Sequence, residues 1–482
     1  MNRATIFYVS RFALHLGACA LAALMLFPGP SLWAQTRTLA SHALTLDEAI
    51  DYALAHYPAV RAALEQVESA RNRVALARTS YLPQVNPIYQ ANRATQNQAA
   101  GIFLPASIIP SVEGPVQPYS STSFWNTQAG ALFTWEPVDF GLRRAAVDQA
   151  RSAEHKSNVD VELTRLQVAS ATGAYFLDLV TAQQAVIAAK ADVDRWQVFD
   201  NVVQVLVQQQ LRPGADGSRA DAELAMSRTR LFQTQAAEQQ SKAILASLVG
   251  VSSASIQVDP QPLLAASPAD SMPSSPLAVH PLAQDQQASV DELRAKESVI
   301  NHADYPRLFV ESGAFARGSG ANPDGTDAGG LKGLGLDRAN WIAGISVVFP
   351  NLFDFPARRD QKRMAEAQER SQEAKYQQTL QDLAGQVAAA RAAYEAALQI
   401  AQNTPIALTS ARQAETQARA RYQAGLTNLV ELAEAESLLA QAERDDAVAR
   451  VGAWRALFGV SVAQGSLGPF LAALRAVPPG NP

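Results

Sequence analysis

Apolar and small residues recur at heptad spacing along part of the second half of the chain, with two polar residues among them. A seven-residue seam of this kind makes neighbouring helices supercoil around each other. Because most of its members are alanines, the seam also allows close approach of the partner helix. The members are Val387, Ala390, Tyr394, Ala397, Ala401, Thr404, Leu408, Ala411, Glu415 and Ala418.

The seam belongs to one of two very long stretches, residues 139–214 and 354–425, whose interiors contain no turn chemistry apart from Pro405. At about 1.5 Å per residue a helix of this length approaches roughly 100 Å, whereas an ordinary helix has only about 11–12 residues. The pattern therefore predicts two exceptionally long helices, the second of them kinked at Pro405.

Each long helix is predicted to end at a glycine and to turn back into a second helix. Gly214 and Gly425 mark the two tips, where glycine supplies positive φ or close backbone approach. A cap residue with an acid three positions later opens each returning helix. These pairs are Ser218 with Asp221 in the first half and Asn428 with Glu431 in the second. The chain thus predicts two antiparallel helical hairpins.

Before each long helix, the apolar residues no longer follow helical spacing and instead tend to recur at every second position. In residues 340–349, bulky apolar residues such as Trp341 and Ile345 alternate with small or polar ones. One apolar face is typical of a barrel strand that faces lipid. Strand pairs are predicted at about residues 84–136 and 307–349, although poor alternation around Leu308 to Phe315 leaves the faces there unassigned.

Several anchors occur twice and in the same order. The spacing between Pro58 and Pro83 recurs between Pro281 and Pro306, and a motif that begins at Asp139 recurs at Asp354. We interpret this as an internal two-fold repeat. The halves span residues 35–257 and 280–465, separated by a proline-rich linker (258–279) and followed by a tail (466–482). The first half opens with a capping box, Thr45 and Glu48.

Residues 1–34 have the order of a secretory signal peptide, with Arg3 and Arg11 before an apolar stretch. The rival interpretation is lipoprotein processing at Cys19, which would leave an apolar mature N-terminus. Cleavage after residue 34 removes two arginines and no acid, so the formal net charge moves from −5 to −7. It also removes the only cysteine, so no disulfide is expected.

The net charge is mildly acidic and the chain has no long basic run, so nothing in the sequence indicates a nucleic-acid partner. Beyond residue 34 no apolar run is long enough for a transmembrane helix, so a membrane span would have to be a closed barrel.

We find no nucleotide-binding loop, nucleophile elbow or zinc-protease motif in the sequence. The histidines after residue 34 lack ligand spacing; they are His42, His56, His155, His280 and His302. We therefore expect no enzyme activity, metal or cofactor. A soluble periplasmic coiled-coil adaptor is the other alternative. It would explain the helices and the signal peptide, but not the strand pairs or the repeat.

The ordered motifs resemble those of the TolC-like outer-membrane efflux proteins over essentially the whole mature chain, from Leu44 to about Phe458. The pieces that carry the resemblance are residues 44–49, 81–84, 139–144, 421–425 and 429–434. The resemblance implies a mostly α fold with a small β part. It also implies a homotrimer in which four strands per chain share a twelve-stranded barrel and the hairpins form an α-barrel tunnel. Four strands alone cannot close a barrel, but the sequence itself does not choose between two copies and three.

The same resemblance implies a passive exit duct in the outer membrane of a Gram-negative-type bacterium, in contact with lipid and extending into the periplasm. Its expected partners are a periplasmic adaptor and an inner-membrane transporter. The tips at Gly214, Gly425 and Leu426 would dock the adaptor. Glu431 and Glu434, which match by their distance from Gly425, would form acidic rings that gate the periplasmic entrance.

Overall fold

The computed structural model describes residues 43–95, 122–265, 268, 276–320, 322, 326–349 and 352–476. The predicted signal peptide lies outside the described residues, as do residues 101–118, whose four prolines predict a long exposed loop. In chain order the elements are α1 (Leu46–His56), α2 (Pro58–Thr79), β1 (Gln84–Thr95), β2 (Ser123–Val138), α3 (Leu142–Gln208), α4 (Gly214–Val249), α5 (Gln261–Ala265), α6 (Pro281–His302), β3 (Arg307–Ser319), β4 (Arg338–Val348), α7 (Phe355–Gln423), α8 (Leu429–Ala463) and α9 (Gly468–Arg475).

The first helix begins at the predicted capping box. The Thr45 hydroxyl accepts the Glu48 backbone N–H, and the Glu48 carboxylate accepts the Thr45 N–H at 2.9 Å. The sequence predicts a single helix from this capping box to about Ser80, but α1 ends at His56. Proline disfavours helical backbone in the residue before it, and Tyr57 is extended (φ −67°, ψ 129°) before Pro58 begins α2.

Two long hairpins dominate the molecule. The 67-residue α3 packs against α4, and the 69-residue α7 packs against α8. Along α7 every member of the predicted heptad seam is buried or half-buried, which confirms the seam. The helix continues through Pro405. Helix α3 also contacts α2, α6 and α8, so it joins the two hairpins.

The main hydrophobic core lies where the two hairpins meet the short helices. Phe176 of α3, Leu245 of α4 and Trp454 of α8 are almost fully buried there. Residues 466–482 were assigned to a tail, but they contain α9, whose Phe470 ring lies 5.1 Å from the Phe458 ring in an edge-on arrangement. Truncating a buried aromatic of this kind costs about 3–5 kcal/mol, so α9 is an integral part of the core.

Within the described ranges, none of the helices combines the length and the apolar character that a membrane-spanning helix needs.

Candidate functional sites: the two-faced sheet and the hairpin tips

The four strands form one antiparallel sheet in the order β1-β2-β3-β4. Side chains of directly opposed residues lie on the same face, so the strand register divides the sheet into two faces. Ile345 lies opposite Val310, which in turn lies opposite Trp135. This apolar face includes Val85, Pro87, Tyr89, Ala91, Ala129, Ala131, Phe133, Trp135, Leu308, Val310, Ser312, Ala314, Ala316, Ala339, Trp341, Ala343, Ile345 and Val347.

The opposite face carries most of the polar side chains. Gln84 lies opposite Thr134, Thr134 opposite Glu311, and Glu311 opposite Gly344. The register thus assigns the faces of β3, which the sequence left open. On the apolar face Trp341 is 80% exposed and Ile345 is 73% exposed. A monomer in water gains nothing from presenting these large apolar groups to solvent.

The two outer strands are paired on one side only. β1 pairs with β2 and β4 pairs with β3. Their other edges therefore present 12 and 11 residues of backbone, respectively, that have no strand partner within the described chain. Such edges are templates for pairing with another chain.

The repeated motif at Asp139 forms the junction between sheet and helix. The Asp139 carboxylate accepts the Arg143 backbone N–H at 2.6 Å and its side-chain Nε–H at 2.8 Å. Arg143 also donates to the Ser80 carbonyl at 3.2 Å and so ties α3 to the end of α2. Gly141 has φ 104°, which glycine adopts without strain. Pro356 stands at the corresponding place in the second half, where α7 begins at Phe355 without this turn.

The second tip has the predicted form. Gly425 has φ 73°, and the Asn428 side chain accepts the Glu431 N–H at 3.1 Å as the cap of α8. Leu426, the other tip residue predicted to dock an adaptor, is 71% exposed.

The prediction for the first tip was wrong in its details. Helix α4 begins at Gly214, so Ser218 and Asp221 lie inside it and Pro213 is the N-cap. Gly214 does not adopt positive φ. Gln210 does, at 58°, because the turn closes immediately after α3 ends.

A contact that the sequence analysis missed joins the two tips. The Arg212 guanidinium donates to the Tyr422 carbonyl at 2.7 Å and lies 4.2 Å from the centre of the Tyr422 ring. The Tyr422 hydroxyl is buried and has no hydrogen-bond partner among the described residues. The two tips of one chain therefore form a single end surface.

The two carboxylates that were predicted to form acidic rings, Glu431 and Glu434, have different surroundings in the structure. Glu431 pairs with Arg421 at 2.6 Å, and its carboxylate also accepts the Thr427 hydroxyl. Glu434 lies one turn further along α8, is exposed, and has no ion pair in the part of the chain that the structure describes. Their spacing of three residues places both on one side of the helix.

Further from the tips, a buried ionic network crosses four helices. Arg195 of α3 lies 3.7 Å from Asp192, 3.5 Å from Glu436 and 2.9 Å from Glu443. Arg419 of α7 lies 2.6 Å from Glu415 and 2.5 Å from Glu436.

Arg230 of α4 completes the network at 3.1 Å from Asp192. Glu436 is only 2% exposed. Its burial raises the pKa of Glu436, although the hydrogen bond from Arg419 opposes that shift.

One residue in the sequence indicated this network: Glu415, a polar residue within the heptad seam. Asp192 and Arg195 resemble a solvated pair of charges in the sequence, because their other partners come from distant helices. Within the described ranges, no group of three or more histidine, cysteine or acidic side chains is arranged to hold a metal ion.

Comparisons with known proteins agree with this architecture. Protein CyaE of Bordetella pertussis is 28% identical over 411 residues, which covers 82% of this chain and 78% of the relative. VceC of Vibrio cholerae, an outer-membrane protein, superposes with a TM-score of 0.71 at 18% identity, over 87% of this chain and 96% of that one. The CmeC outer-membrane channel of Campylobacter jejuni superposes with the same score at 17% identity, over 87% of this chain and 85% of that one.

The family model for outer membrane efflux proteins matches residues 49–251 and 272–457. This chain belongs to the outer membrane efflux protein family, whose members are passive outer-membrane channels and not enzymes.

Proposed function

We propose that three copies of this chain assemble into one exit duct, in which their sheets close a twelve-stranded barrel and their hairpins form a tunnel in the periplasm. The observation that carries this proposal is the two-faced sheet with two unpaired edges. Lipid cannot hydrate backbone groups, so each edge needs a strand partner. An eight-stranded barrel from two copies would be filled by side chains, whereas twelve strands leave a lumen.

In this assembly the apolar face contacts lipid and the opposite face lines the lumen. The helices leave the sheet from the end that holds Gln84, Val138, Arg307 and Val348. The opposite end, near Thr95 and Ser319, is then the outer mouth. Solutes pass from the hairpin tips, between the helices and out through the barrel.

The joined tips are the proposed docking end for a periplasmic adaptor, which links the duct to an inner-membrane transporter. Leu211 and Leu426 are 64% and 71% exposed, one at each tip, and the Arg212–Tyr422 contact holds the two tips together. An exposed apolar pair on a fixed surface favours recognition by another protein. Gly425 shapes the second turn, and Gly214 begins α4 directly after the first.

Glu434 is the proposed main component of an acidic ring at the periplasmic entrance, and Glu431 is its partner. Threefold symmetry would place three copies of each carboxylate around the axis, where acidic rings attract cations. Because Arg421 already neutralises Glu431 in the structure, Glu434 supplies most of the ring's field.

Two measurements on protein extracted from outer membranes test the assembly. Native mass spectrometry should show complexes of three chains, and reconstitution into planar bilayers should give discrete conductance steps. Complexes of two chains, or three-chain complexes that never conduct, would overturn the proposed duct.

Leu426→Asp tests the tips. It should abolish co-purification with the periplasmic adaptor while leaving trimers intact. Leu438→Asp, at another exposed leucine of α8 away from the tip, is the matched control and should co-purify normally. Equal binding by both variants would contradict docking at the tip.

A further inference from the structure

One level of the sheet carries an unusual row of side chains. Gln90 lies opposite Gln128, Gln128 opposite Arg317, and Arg317 opposite Arg338. Strands lie about 4.8 Å apart, so these four side chains are direct neighbours on one face. Two like charges directly opposite each other on a sheet are unfavourable without a counter-charge.

Among the described residues, no ion pair supplies such a counter-charge, although Asp337 directly precedes Arg338 in the chain. Arg317 and Arg338 are both exposed, and neither has an ion pair or hydrogen bond to a described residue. The nearest acid on the same face of β3 is Glu311. It lies six residues away, which is about 20 Å along a strand. The neighbouring level toward the outer mouth holds Asn126 and Ser319, which are uncharged.

The row lies on the face that carries Glu311, not on the face that carries Trp341. The described part of the connection between β3 and β4, residues 326–337, lies toward the other face. The backbone of Gly335 lies directly over Gly318, whose position belongs to the opposite face, and Gly318 is buried while Arg317 is exposed. Among the described residues, nothing therefore covers the two guanidinium groups on the polar face.

We propose that this row binds oxyanions, such as phosphate or sulfate groups, at the outer mouth of the lumen. Guanidinium groups bind such anions through paired N–H donors, and the two glutamine amides add neutral donors. This inference rests on the proposed trimeric barrel, in which the row recurs three times around one level. The duct would then present positive charge at its outer mouth and negative charge, from Glu434, at its periplasmic entrance.

Planar bilayers of phosphatidylcholine, with inorganic tripolyphosphate as the probe, test the proposal. Tripolyphosphate added on the outer side should block the wild-type channel. For the double variant Arg317→Gln/Arg338→Gln the half-blocking concentration should rise at least tenfold. Arg317→Lys/Arg338→Lys, which keeps the charge but loses the paired donors, should lie between the two.

Arg93→Gln is the matched control. Arg93 lies near the same end of the sheet but on the apolar face, opposite Trp125. It should leave the block unchanged. Equal block of the wild type and the double glutamine variant would overturn the inference, as would an equal effect of Arg93→Gln.

Two further outcomes are distinguishable. If the arginine pair instead holds lipid phosphates, the double glutamine variant will lose trimers only in bilayers that contain lipopolysaccharide, and its tripolyphosphate block will match the wild type. If the wild type forms neither trimers nor channels, the proposed duct itself fails.

Discussion

The guanidinium of Arg195 on α3 lies 3.5 Å from the buried carboxylate of Glu436 on α8. This ion pair joins the first hairpin to the second, and Arg419 of α7 holds the same carboxylate from the other side. Asp192, Glu415 and Glu443 crowd the same space. The network therefore fixes the two hairpins against each other, and its carboxylates are more deeply buried than its half-buried guanidinium groups, Arg195, Arg230 and Arg419.

The raised pKa of Glu436 gives this network a defined pH dependence. The folded chain takes up a proton at Glu436 more readily than the unfolded chain, because burial disfavours the charged carboxylate. Its stability contribution is therefore fully present below the unfolded pKa and is lost as pH rises through the folded value.

We expect the unfolding midpoint of the wild type, measured by circular dichroism in detergent, to rise relative to Glu436→Gln as pH falls from 7 toward 5. A difference that stays constant with pH would contradict this. Arg419→Gln should instead destabilise by about 1–3 kcal/mol, since Glu415 loses its guanidinium partner and Glu436 keeps only Arg195.

The two tip glycines should respond differently to alanine. Gly425→Ala places a side chain at φ 73° and should cost about 1–2 kcal/mol. Gly214 begins a helix, and a Cβ there would meet no neighbour within 4 Å, so Gly214→Ala should be neutral or slightly stabilising. Thermal unfolding of the two variants checks this. A larger loss for Gly214→Ala would show that the first tip depends on glycine after all.

Adjacent residues of β4 test the assignment of the faces. Ile345→Arg should cost about 2–4 kcal/mol if the site lies near the bilayer midplane, and it should reduce the yield of trimers from outer membranes. Ser346→Arg places the same side chain on the polar face and should assemble at the wild-type yield. The reverse order of yields would show that the faces are exchanged.

In the proposed entrance ring, removing the charge of Glu434 and removing that of Glu431 should have unequal effects. Glu434→Gln should reduce cation selectivity and weaken the block by hexaamminecobalt added on the periplasmic side. Glu431→Gln should have a smaller effect, because Arg421 already pairs with that carboxylate. Channel recordings of each variant and of the double variant check this. Unchanged selectivity and block in a correctly assembled double variant would eliminate the ring.

Features set by local spacing could be predicted from the sequence. The seam of α7 and the second tip follow from heptad positions and from the glycine and cap residues around Gly425. The first tip could not, because its positive φ falls on Gln210, a residue type that gives no such signal. The faces of β3 needed the strand register, since Ser312 and Ala314 interrupt the apolar alternation.

The ionic network and the arginine row could not be predicted from the sequence, for a similar reason. Arg195 and Glu436 are 241 positions apart in the sequence, and only the packing of α3 on α8 brings them together. Arg317 and Arg338 become neighbours only through the pairing of β3 with β4. Helix α9 is too short to show a clear period, although it completes the core.

In the proposed trimer the β1 edge of one copy pairs with the β4 edge of the next, and disulfide cross-linking in outer membranes reports this pairing itself. The single cysteine, Cys19, lies in the predicted signal peptide, so the mature chain offers a background without thiols. A cysteine at Gln90 of β1 would be combined in turn with one at Asn340, Ile342 or Gly344 of β4, all on the polar face. Ala343, on the apolar face, is the mismatched control.

At least one polar-face pair should give covalent trimers and nothing larger, because three junctions close the ring, while Gln90 with Ala343 should stay monomeric on denaturing gels. Cross-linking that stops at dimers, continues beyond trimers or fails for all three polar-face pairs would contradict the shared barrel.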